Sequence, residues 1–103
     1  MNLNEYQKWT RETAIYPREA ALDYLGLGLT SEAGEVAGKL KKRIRDGGVD
    51  VMSLVDEIGD VYWYLARLCD ELQWSSEDVL QRNKDKLVDR LSRNVIKGSG
   101  DAR

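Results

Sequence analysis

Three observations predict an all-α fold, a small bundle of about four helices. Apolar residues recur at helical spacings along most of the 103-residue chain. Strand-like alternation of apolar and polar residues is absent. Pro17 is the one proline. The length suits one domain over residues 1–103, with a modest core and no linker.

The first helix is expected over roughly residues 5–15, with Asn4 as its cap and Tyr6 and Trp9 on one side. Pro17 reads as the first residue of a second helix running to about residue 45. Leu22, Leu25, Leu29, Val36, Leu40 and Ile44 form its apolar stripe, and Gly26 and Gly28 predict a kink or break in its middle. Asp46-Gly47-Gly48 ends it. Asp50 is the expected cap of a third helix. There Leu54, Ile58, Val61, Leu65, Leu68 and Leu72 alternate at spacings of four and three, and Trp74 closes the run. Ser75 with Asp78 resembles a capping box for a last helix carrying Leu80, Leu87 and Leu91. The tail from Lys97 to Arg103 reads as a polar loop.

Composition removes several function classes. Sixteen Lys and Arg against 18 Asp and Glu give a formal net charge of −2, which points to neither nucleic acid nor an anionic membrane. The single cysteine, Cys69, forms no internal disulfide and no thiolate zinc cluster. There is no histidine, so a Ser-His-Asp triad and the His-containing zinc and di-iron sites are excluded. MNLNEYQKW lacks the apolar core of a signal peptide, and no apolar run approaches the roughly 18 residues of a membrane span. A soluble cytoplasmic protein is the expectation.

One phrase is written twice. Residues 29–36 read LTSEAGEV and residues 54–61 read LVDEIGDV. With Val36 at the centre of its stripe, Glu32 falls within about 40° of it and Glu35 about 100° away. Glu57 and Asp60 take the same two places around Val61. Each helix thus sends one carboxylate inward and one to the rim. Burying an unpaired carboxylate is expensive, so such groups pair with a base or bind a cation. If the two helices pack antiparallel through these faces, four oxygen ligands converge, a set suited to Mg²⁺ or Mn²⁺. The competing account pairs Glu35 with Lys39, and Glu32 with Lys39 or Arg43, as ordinary i, i+4 neighbours. It explains either half alone; the duplicated inward acids favour the cation. Gly34 and Gly59, between the carboxylates, suggest close approach of a helix or ligand.

On the last helix, with Leu87 at the centre, Asn83 points inward, Lys86 lies at the rim and Arg90 between them. A bound phosphate and a solvated basic face explain this equally well. Tyr64 shares a side with Glu57 and Asp60, where it either touches a ligand or covers the core edge. Aromatic residues at helical spacing are more often core than base platforms.

Taken together, Glu32-Ala33-Gly34-Glu35 and Glu57-Ile58-Gly59-Asp60 resemble the E-x-x-E … E-x-x-D signature of MazG-like nucleoside triphosphate pyrophosphohydrolases. These belong to the all-α NTP pyrophosphatase group, with the dimeric dUTPases and the dCTP pyrophosphatases. The similarity runs from about Tyr6 to the tail. It implies Mg²⁺ ligands at Glu32, Glu35, Glu57 and Asp60, with Glu32 or Glu35 orienting the attacking water. It implies nucleotide contacts from Tyr64, Asn83 and Lys86, and Arg90 adds charge beside them. The implied reaction converts a (deoxy)nucleoside triphosphate to the monophosphate and pyrophosphate. Many relatives begin the first motif with two adjacent glutamates; here the first is Ser31. The resemblance also implies a homodimer or a dimer of dimers that completes the bundle. A thin core and surplus apolar faces agree with that. Lys97 or Arg103 would then be placed to reach a neighbour's site. The rival readings are a helical module that binds nucleotide or metal without turnover, and a dimerisation bundle whose acids only pair with lysines.

Overall fold

A computed structural model describes residues 1–48 and 50–103. Among them are four α-helices, two short 3₁₀ turns and no strand. Helix α1 spans Leu3–Trp9, α2 Ala21–Asp46, α3 Val51–Glu71 and α4 Ser76–Ser92. The 3₁₀ turns, Thr10–Thr13 and Arg18–Ala20, lie between α1 and α2.

The helix boundaries correct the sequence reading at three points. Asn2, not Asn4, caps α1, its Oδ1 accepting from the Glu5 N–H at 2.8 Å. Asn4 instead accepts from the Glu77 N–H at 3.0 Å and ties α1 to the start of α4. Pro17 does not begin α2. Its ψ of 122° is extended, and a 3₁₀ turn intervenes before Ala21. Nor does α2 break at its glycines, for it is helical throughout from Ala21 to Asp46. Gly28 is there for packing: a Cβ on it would lie 2.1 Å from the Tyr64 ring.

Other ends follow expectation. Gly47, at φ 87°, closes α2 in the left-handed conformation. Asp50 and Ser75 cap α3 and α4 through the Met52 and Asp78 N–H groups, each at 3.1 Å. Helix α3 ends in a Schellman pair, Trp74 N–H to Cys69 O and Gln73 N–H to Asp70 O, with Gln73 at φ 61°. Helix α4 repeats it with Val95, Asn94, Arg90 and Leu91, and Asn94 sits at φ 57°.

The main contact is the hairpin of α2 on α3, whose helices are separated by only residues 47–50. At its open end Leu25 is completely buried, with Tyr16, Ala21 and Ala66 nearly so. Trp63, Tyr64 and Leu68 pack against this nucleus. A polar cluster fastens the N-terminal segment there. Arg67, only 3% exposed, donates to Tyr16 Oη, Thr10 Oγ1, Asp70 and Glu71. Arg11 clamps Asp70 with two hydrogen bonds, and Arg18 clamps Glu71 in the same way. Gln7, also buried, donates to Trp74 O at 2.9 Å and accepts from the Ser76 N–H at 2.7 Å.

Much of the predicted apolar stripe is not covered within one chain. Ile44 is 88% exposed, Leu91 70% and Leu72 56%. Helix α4 meets both α1 and α3, and a groove of about 290 Å³ walled by Tyr6, Tyr62, Leu65, Val79 and Leu80 lies where the three come together. No helix among the described residues is long and apolar enough to cross a membrane.

Candidate metal centre

The duplicated acids meet across the α2–α3 hairpin. Carboxylate oxygens of Glu32, Glu57 and Asp60 all lie within 4.8 Å of one another. Glu32 and Glu57 are half-buried, Asp60 is exposed, and Glu35 is exposed on α2 outside this group. The inward and rim positions are those the 100° helical rotation gives. Three of the four predicted ligands are therefore brought together, and Glu35 stands beside them.

The electrostatics match the crowding. Burial raises the Glu32 pKa, and a hydrogen bond with Glu57 and the charges of Asp60, Glu57 and Glu35 raise it further. Like-charged carboxylates this close either share protons or are relieved by a cation. An all-oxygen donor set without imidazole or thiolate fits a hard divalent ion.

Lys39 corrects the simple pairing scheme. It does not settle on its i−4 neighbour Glu35. Its Nζ reaches across the hairpin, 2.5 Å from Ser53 Oγ and 3.7 Å from Glu57 Oε1.

Tyr64 lies beside the acids. Burial raises its hydroxyl pKa, and Tyr24, Glu32 and Asp60 push it further. Gly28 admits its ring, which also meets Trp63 edge-on at 5.0 Å. Trp63 itself is held to Thr13 Oγ1 at 2.7 Å, as a packing element. Gly34 and Gly59, by contrast, have nothing of this chain near the place a Cβ would occupy.

The α4 residues are arranged differently from the expectation. Asn83 is exposed at the groove, Lys86 is half-buried, and Arg90, 4% exposed, is the deepest of the three. The cause is the tail, which folds back over α4. Asp101 Oδ1 lies 3.1 Å from Lys86 Nζ and 3.2 Å from Arg90 Nη2, and Arg90 also donates to Asp101 O at 2.9 Å. Lys86 and Arg90 hold the Asp101 carboxyl below the usual carboxylate range. Arg103 donates to Val95 O, Ile96 O and Gly100 O, so its guanidinium serves its own tail. The polar loop read at residues 97–103 is thus a bonded strap.

Sequence reasoning missed Arg67 and its partners Asp70 and Glu71. Their spacing, i to i+3 and i+4, is that of an ordinary exposed helix pair. Only the return of Tyr16, Thr10 and Arg11 onto them marks the position as buried.

The chain belongs to the MazG family: residues 21–94 match the MazG nucleotide pyrophosphohydrolase domain. A relative is the Gene 37 protein of Mycobacterium phage L5, 43% identical over 114 aligned positions that cover all of both chains. No solved structure matches the chain.

Proposed function

We propose that this chain hydrolyses (deoxy)nucleoside triphosphates to the monophosphate and pyrophosphate, using Mg²⁺ or in its place Mn²⁺. The observation that carries the reading is the convergence of Glu32, Glu57 and Asp60 within 4.8 Å on the hairpin of a MazG family member. Those three residues, with Glu35, would hold the ion. Bound there, it would neutralise triphosphate charge and polarise the α-phosphoryl group. Glu35, outside the group of three, or Glu32 would orient water toward the α-phosphorus. That attack breaks the bond from the α-phosphorus to the bridging oxygen and releases pyrophosphate. Tyr64 stands at the acids, Asn83 at the groove, and Lys86 and Arg90 offer positive charge once a phosphate replaces Asp101 upon them. The whole of residues 1–103 acts as one domain, in the cytoplasm, in nucleotide-pool house-cleaning or regulation.

The test is a product assay. Purified protein is incubated with each common NTP and dNTP, with Mg²⁺ or with EDTA, and products are separated by chromatography. Monophosphate plus pyrophosphate, lost in EDTA, is the expected result. Orthophosphate plus diphosphate would move the attack to the γ-phosphorus. Binding without turnover would favour the alternative, a nucleotide-binding helical module.

The open apolar faces support a homodimer or homotetramer. Ile58, Tyr62 and Leu65 on α3, and Leu80, Leu87 and Leu91 on α4, are each at least two-fifths exposed in one chain. Sedimentation at micromolar concentration is expected to give a dimer or tetramer; a monomer removes this element of the proposal.

A further inference from the structure

Lys39 is a basic residue set among acids. Among the described residues, it forms the one ion pair made by any of Glu32, Glu57 and Asp60. Its stem crosses from α2 to α3, and its ammonium is shared between Ser53 and Glu57, which stand one turn apart on the same helix face. The side chain is 28% exposed and Glu57 is 20% exposed, so the pair is partly removed from water. A hydroxyl acceptor at 2.5 Å fixes the amine beside the acids, so the charge is not left to wander on a flexible stem.

We propose that Lys39, anchored by Ser53, is the resident counter-ion of the three-acid group and competes with the divalent cation for Glu57. The inference rests on the cation reading of the acids and assigns a residue outside the duplicated motif. Lys39 is a positioning residue: it holds Glu57 toward Glu32 and Asp60 when no cation is bound, and yields the carboxylate when one arrives. It thereby sets the cation concentration at which the site fills. A divalent ion entering between the acids must overcome both the lost ion pair and repulsion from the ammonium.

Calorimetric titration with MnCl₂ alone, without nucleotide, tests this on the full chain and on Lys39→Met and Lys39→Arg. Lys39→Met keeps the stem and removes the charge, and it should bind Mn²⁺ roughly threefold or more tighter. Lys39→Arg keeps the charge and should stay near the native affinity, whereas a purely structural role for the stem would leave both variants at the native affinity. Equal or weaker binding by Lys39→Met overturns the assignment to Lys39 and leaves the cation site standing. Binding by Lys39→Met but not by the native chain supports it. Absence of binding by all three chains overturns the cation site and this inference together. Should Lys39→Met not fold, Ser53→Ala removes only the anchor. It is expected to bind Mn²⁺ more tightly than the native chain, and unchanged or weaker binding overturns the inference.

Discussion

Glu57→Gln is expected to abolish cation-dependent hydrolysis, by roughly 10²-fold or more, while the helical circular dichroism spectrum is retained. The substitution keeps the size of the side chain and removes one of three crowded charges. Two opposing effects on stability then nearly cancel. The Lys39 pair is lost, worth at most about 1 kcal/mol at this exposure. Repulsion on Glu32 and Asp60 is relieved at the same time. Melting in EDTA should therefore shift by only a few degrees, and any stabilisation measured for the native chain on adding Mg²⁺ should be lost in the variant. Retained activity in the variant would remove Glu57 from the site. Loss of helical signal would instead make its role structural.

Arg67→Met carries the largest expected cost in stability. The guanidinium is buried and satisfies four acceptors: Tyr16, Thr10, Asp70 and Glu71. Removing one partner of a buried ionic cluster leaves the others desolvated and costs about 3 kcal/mol or more. For a domain of this length that is a large share of the total, and melting should fall by more than about 10 °C. The same cluster fixes the acid limit of the fold. Arg11 foremost, with Arg67 and Gln7, holds the Asp70 carboxyl well below its usual range. Arg18 foremost, with Tyr16 and Arg67, pulls Glu71 from 4.5 to about 2. Both carboxylates bind protons more weakly in the folded chain than in the unfolded one. Their contribution is thus complete above the ordinary carboxylate pKa and is lost as pH falls toward 2. Urea unfolding of the native chain should weaken steadily over that window. Arg67→Met should be weaker at pH 7 and show a shallower acid slope. An unchanged midpoint at pH 7 would contradict this account of how the N-terminal segment is fastened.

The sequence made the hairpin and its acids legible because both depend on a single local period. Glu32 and Glu57 are turned inward by the same rotation that aligns Val36 and Val61, and the caps at Asp50 and Ser75 need only neighbours within three residues. What depended on distant parts of the chain was not legible. The break considered at Gly26 and Gly28 is absent, and Gly28 answers to Tyr64, on another helix, which fills the space a side chain would need. Arg90 is buried, and not simply part of a basic rim, because residues 100 and 101 return over it. Arg67 carries no sign in its own helix that Tyr16 and Thr10 will close on it. The apolar stripes were read correctly as stripes, but one chain covers only part of them.

The hairpin has a consequence for the order of events during folding and for what can vary. Glu32 is brought to Glu57 and Asp60 by two helices that follow each other directly, a contact between near neighbours in sequence, which chains form quickly. All three acids of the group come from α2 and α3, and none from α1 or α4. The groove walls need Tyr6, Tyr62 and Val79 to come from three helices and so are completed later. The acids are thus built from α2 and α3 alone, whereas the groove shares α3 and takes its other walls from α1 and α4, so those two walls can change shape without moving the charges on the hairpin.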